Sequence, residues 1–222
     1  MTHRFPILLL LLAGLVASPS AAQISADQVR ERYDKQTKGG SVDEWARDMN
    51  SDDPLERLKG VKSLSTASDP EAVPYLVQAL GDPDMRVKAK AIDACGNVRA
   101  VDATPVLIQQ LFLRGTDEEV KQRILAALGK IGDQRAAQPI IEFLGRDLVV
   151  ATRGTALYAL GDIADPATIE FLETYERTEP HPTLKRLASE ARAKVRYQQT
   201  VKQTEVKQPL NTFLNPDQPP QQ

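Results

Sequence analysis

Basic residues recur at one place in the sequence: Arg57, Lys88, Lys121, Arg153 and Lys185. Four residues ahead of the first three stand Asp53, Asp84 and Asp117. A regular file of cations could bind an acidic ligand, or it could be a repeated set of ion pairs. A carboxylate placed there meets the positive end of a helix macrodipole and can pair with the base four residues on. Two and five positions after the basic column run two more columns: Lys59, Lys90, Arg123, Thr155 and Leu187, then Lys62, Asp93, Ala126, Tyr158 and Glu190. At 100° per residue both point away from the apolar positions of the same segments. Lys59, Lys62, Lys90 and Arg123 make a basic strip, with Tyr158 beyond it as an aromatic able to anchor a partner chain. A plain solvated face is the alternative reading of that strip.

Residues for catalysis are scarce. Metal and acid–base chemistry at neutral pH commonly draw on His. The chain has two, of which His181 sits between Pro180 and Pro182 in an expected turn and the other falls within the first four residues. Cys95 is the sole cysteine, so it has no disulfide partner in the chain, and it occupies a Leu column, where a small buried apolar side chain is expected. Asp133, Asp162 and Asp165 follow a Gly column and are assigned to turns and the starts of the next helices. No catalytic residue, cofactor or metal is expected.

The positioning elements come from a repeat. "ERLKGVKSLSTASD" from Glu56, "VKAKAIDACGNVRA" from Val87, "VKQRILAALGKIGD" from Val120 and "TRGTALYALGDIAD" from Thr152 share their Ala, Leu and Gly pattern. Aligned at Leu64-Ser65, Cys95-Gly96, Leu128-Gly129 and Leu160-Gly161 they are spaced by 31, 33 and 32 residues, a period that indicates a solenoid. Between them recur "DPEAVPYLVQAL", "VDATPVLIQQLF", "DQRAAQPIIEFL" and "DPATIEFLETY". Pro74, Pro105 and Pro139 stand near the start of the first three blocks, where the first helical turn has no acceptor for the missing N–H. Each unit is therefore an antiparallel helix pair. Gly96, Gly129 and Gly161 are expected to end the longer helices, since Gly adopts the left-handed conformation common at helix ends. Ser41 and Glu44 form a capping-box pattern before the first pair, and "TLKRLASEARAKVRYQQ" from Thr183 supplies the last helix, giving five pairs over 41–199.

On these residues, "VKQRILAALGKIGD" followed by "QRAAQPIIEFL" above all, the chain resembles the HEAT repeat in the short form named after phycobilisome lyases. The resemblance implies an all-α, right-handed α-solenoid, with second helices lining a concave surface and the basic column making structural bridges to Asp between neighbouring units. It implies little about activity, because members include scaffolds, adaptors and a few enzymes. The chain lacks the His-Glu pair that binds iron in the HEAT-like deoxyhypusine hydroxylases. A non-catalytic scaffold binding an acidic or extended polypeptide on its concave face is expected, with a lyase-type enzyme or enzyme accessory as the alternative.

The two ends differ from the array. Residues 1–22, "MTHRFPILLLLLAGLVASPSAA", combine Arg4, an apolar run over 7–16 and a Ser20-Ala21-Ala22 end, the pattern of a cleavable export signal cut before Gln23. The run is about ten residues, half of the roughly 20 a membrane crossing needs, so a periplasmic or secreted protein with no membrane attachment after cleavage is expected. Without Arg4, 27 basic residues face 30 acidic ones, a net charge of −3 that favours neither nucleic acid nor an anionic membrane. Residues 23–40 read as a short capping helix broken at Gly39-Gly40, and 200–222 as a disordered Gln- and Pro-rich tail.

Overall fold

The computed structural model describes residues 42–67 and 69–214. The expected export signal, the segment 23–40, Ser41 of the capping box and residues 215–222 lie outside the described residues.

Among the described residues, ten α-helices make five antiparallel pairs: α1 Val42–Met49 with α2 Pro54–Leu64, α3 Val73–Ala79 with α4 Met85–Asn97, α5 Thr104–Phe112 with α6 Glu118–Ile131, α7 Ala137–Leu144 with α8 Val150–Ile163, and α9 Ile169–Thr178 with α10 Pro182–Leu214. Local chemistry sets the starts. Asp53, Asp84 and Asp117 each accept the backbone N–H two residues on, at 2.8–2.9 Å, and so cap α2, α4 and α6; a cap of this kind contributes about 1 kcal/mol. One-turn 3₁₀ helices precede α3, α5, α7 and α9. Asp69, Asp133 and Asp165 open three of those turns by the same hydrogen bond. Asp133 and Asp165 thus do the turn work expected of them. Asp162 does not: it lies inside α8 and pairs with Lys194 of α10.

A continuous core of Leu, Ile, Val and Ala runs through the pairs, with Leu64, Leu76, Ile92, Leu107, Ile124 and Leu157 fully enclosed. Consecutive second helices pack directly on one another, whereas consecutive first helices touch less. On the first-helix side Phe112 of α5 and Phe143 of α7 meet edge to face with ring centroids 5.8 Å apart, and the Arg146 guanidinium lies 4.4 Å from the Phe112 centroid.

Two expectations are corrected. Gly96, Gly129 and Gly161 lie in the last turns of their helices, but none of them has the left-handed backbone expected there. They are contact points: a Cβ at Gly96 would stand 3.0 Å from Ala127 Cα, at Gly129 3.1 Å from Ala159 Cα, and at Gly161 3.0 Å from Ala191 Cα. Gly recurs because the next second helix leaves no room for a methyl group. The left-handed residues come three positions later, at Arg99 (φ 53°), Gly132 (φ 74°) and Ala164 (φ 54°). The second correction concerns the C-terminus. Helix α10 continues to Leu214, so residues 200–214 of the expected tail are helical. Thr200 and Thr204 bond back to the carbonyls of Arg196 and Thr200 within it.

Candidate functional site

The first turns of the second helices carry the basic column at the joints between pairs. Arg57 reaches into the next pair and grips Asp82 with two hydrogen bonds of 2.8 and 3.0 Å. That contact holds the Asp82 carboxyl below its ordinary range, against a smaller opposing effect of burial. Arg153 likewise reaches the buried Glu179 of the fifth pair and the Tyr175 hydroxyl, the latter at 2.6 Å. Burial pushes the Glu179 pKa up, but the His181 N–H, the Tyr175 hydroxyl and Arg153 together outweigh it and leave the group below its usual value. Lys121 pairs within its own helix with Glu118 at 2.6 Å, and Glu118 in turn accepts from Thr152 of the next pair at 2.8 Å. The i,i+4 pairing drawn from the sequence for Asp53, Asp84 and Asp117 is not made. Their carboxylates cap helices, and Asp84 binds Arg86, which holds its pKa far below normal. Lys185 is exposed on α10.

The outward columns are less bare than their sequence implies. Lys59 is exposed and pairs with Glu56 at 3.3 Å and Asp48 at 3.4 Å; these raise its pKa, the Glu56 hydrogen bond most. Arg123 bridges to Asp93 of the preceding pair at 2.9 Å and to Glu119 at 2.8 Å. Lys62 is exposed and Lys90 half-buried. The strip is thus a compensated ion-pair surface, and two of its four cations already hold carboxylates.

Tyr158 has a different setting. Its side chain is 59% exposed, with the Lys194 ammonium 5.3 Å from the ring centroid. It borders an open, mainly apolar groove of about 390 Å³ between α8 and α10, whose walls include Val150, Thr155, Leu184 and Leu187. Gly154 opens the groove: a Cβ there would come 3.1 Å from Leu187 Cδ1. The sequence reading missed Val150, Gly154, Leu184 and Lys194. Gly154 was detectable as the one Gly in a column otherwise filled by Leu58, Ala89, Gln122 and Arg186.

Cys95 is fully enclosed, and burial pushes its thiol up to about 12. His181 sits at the start of α10, its N–H donating to Glu179 at 3.0 Å. No group of three or more His, Cys, Asp or Glu able to hold a metal occurs among the described residues. Nor does any described helix have the length and apolarity to cross a membrane.

The HEAT-repeat family profile matches residues 44–112 and again 104–193. The chain belongs to the HEAT-repeat family. A HEAT repeat-containing taxis protein of Halobacterium salinarum is 30% identical over a match covering 50% of this chain and 32% of that protein. Among solved structures, the complex of CpcE and CpcF of phycocyanin lyase from Nostoc sp. PCC7120 superposes with a TM-score of 0.57 at 22% identity, covering 70% of this chain and 65% of that one. An engineered protein superposes with a TM-score of 0.51 at 22% identity, covering 78% and 85%. This HEAT-repeat protein therefore spans about a third of the taxis protein and just under two thirds of the lyase chain. At such identity the structural likeness shows the fold alone.

Proposed function

We propose that this HEAT-repeat protein is an exported, non-catalytic scaffold that binds a protein or extended peptide on the inner face formed by its second helices. The observation that carries the reading is the groove between α8 and α10, whose wall an exposed Tyr158 shares with Val150 and Leu187. A rigid aromatic beside an apolar cleft, with charged residues around it, has the makeup of an interface centre and its polar rim. The ion-paired columns of Lys59 and Arg123 lie on the same helix face toward the N-terminus and would orient an acidic partner more than they would hold it.

The test uses the chain from Gln23 onward, with a photo-crosslinking phenylalanine at Tyr158, incubated with envelope extract of the source organism. A protein crosslinked at that position, and retained about 30-fold more weakly by Tyr158→Ala with helicity unchanged, is the expected result. Equal retention by Tyr158→Ala sinks the groove as the contact. A chemically altered small molecule in the extract would favour the lyase-type alternative. Export is checked separately by sequencing the N-terminus of the protein recovered from the envelope: Gln23 is expected, and a retained Met1 overturns cleavage.

A further inference from the structure

The joint between the second and third pairs lacks what two other joints have. Arg57 is closed over by Asp82 and Arg153 by Glu179, acids supplied by the turn of the following pair. Each acid stands two residues before the residue that opens the next second helix, and each accepts that residue's N–H: Asp84 at 2.8 Å and His181 at 3.0 Å. Two residues before Asp117 stands Gly115, which has no carboxylate to offer. Lys88 holds the place of Arg57 and Arg153; it is half-buried and makes no ion pair among the described residues. At the fourth pair Asp147 holds the acid position, but Lys121 has turned to Glu118.

The vacancy leaves an open groove of about 430 Å³ lined by Lys88, Gly115, Arg114, Met85, Leu113 and Val120. Met85 and Leu113, 49% and 54% exposed, bring apolar surface to the edge of the groove, as Leu55 and Val149 do at the starts of other second helices. Asp117 also lines the groove and caps the helix by accepting the Glu119 N–H at 2.8 Å, so the two cations Lys88 and Arg114 share this one acid. We infer that this groove takes an acidic side chain of a partner protein, flanked by apolar residues, at the place where Asp82 and Glu179 enter the other joints. The incoming carboxylate meets Lys88 and Arg114 while its apolar neighbours cover Met85 and Leu113. This joint is distinct from the one that carries the Tyr158 groove, so neither site depends on the other.

Methionine-methyl NMR of the folded chain tests it, because Met85 lies in the groove and Met49 lies in the first pair and serves as an internal control. The probes are the peptides acetyl-Leu-Asp-Leu-amide and acetyl-Leu-Asn-Leu-amide. The Asp peptide should move the Met85 signal saturably and leave Met49 in place, and the Asn peptide should bind at least about tenfold more weakly. Lys88→Met, which keeps the apolar stem, should abolish the saturable shift. Gly115→Asp should also abolish it and raise the thermal midpoint, because it supplies the missing acid at a position with nothing within 4 Å of a new Cβ. An unmoved Met85, equal response to both peptides, or undiminished binding by Lys88→Met or Gly115→Asp overturns the inference. So does a Met85 signal that shifts on dilution of the protein alone, which would put a second copy of the chain in the groove.

Discussion

The two ends of the same second helices follow different rules. Toward their C-termini, Gly96 faces Ala127, Gly129 faces Ala159 and Gly161 faces Ala191, one contact made three times with almost no variation in distance. Toward their N-termini the joints diverge: an Arg–acid grip at Arg57 and Arg153, an inward-turned Lys121, and an open groove at Lys88. Backbone-to-backbone approach tolerates one residue type, because any Cβ must push a neighbouring helix away. Partly solvated ion pairs contribute little each and have several workable arrangements, so that end is free to differ from joint to joint.

The comparison breaks most sharply at the glycines. Gly129→Val should cost about 3 kcal/mol through overpacking in the middle of the array. Gly129→Ala should cost less, because the helix-propensity gain of about 1 kcal/mol offsets part of the clash. Urea unfolding followed by far-UV circular dichroism checks both, and a neutral valine variant would mean the helices can separate freely. Next in size is Arg153→Met, which strands Glu179 at the last joint and should cost about 2 kcal/mol. Hydrogen exchange should show α9 and α10 opening first; protection that falls evenly along the chain would count against a local clamp.

The acid side offers a smaller effect. Asp82 has a folded pKa below its unfolded one because Arg57 grips it. The stability it contributes is therefore present above about pH 4 and is lost as the pH falls and the carboxyl is protonated. Asp82→Asn should lower the urea midpoint near neutrality and leave it closer to the parent's at about pH 3. A variant whose acid limb matches the parent's would show the grip to be idle. Smallest is Ala164→Gly, which relieves a non-glycine residue at φ 54° and should add about 0.5 kcal/mol, read as a slightly higher thermal midpoint.

How much the sequence disclosed follows the same division. Apolar and Gly columns with a period near 32 residues carried the helix pairs, their number and the buried face. They misassigned the role of Gly96, Gly129 and Gly161, because a helix end and a tight interhelical contact both favour the residue without a side chain. The true left-handed positions hold Arg99, Gly132 and Ala164, residues with no shared chemistry to read. Tyr158 was visible as an outlier in an outward column. The pairing of Arg123 with Asp93 was not, since it depends on the stagger between adjacent helices, bringing one unit's second outward position against the preceding unit's fifth. The export signal and the segment up to Gly40 remain readings of the sequence alone.

At the joint of the third and fourth pairs, the edge-to-face rings of Phe112 and Phe143 space the first helices, while Gly129 meets Ala159 on the second-helix side, which gives that joint the shape of a wedge. Wedges stacked in one direction make an arch, and the radius of an arch depends on how much thicker its blocks are outside than inside. How far the fourth pair tilts on the third is therefore governed in part by rings on the far side of the joint from the glycine contact.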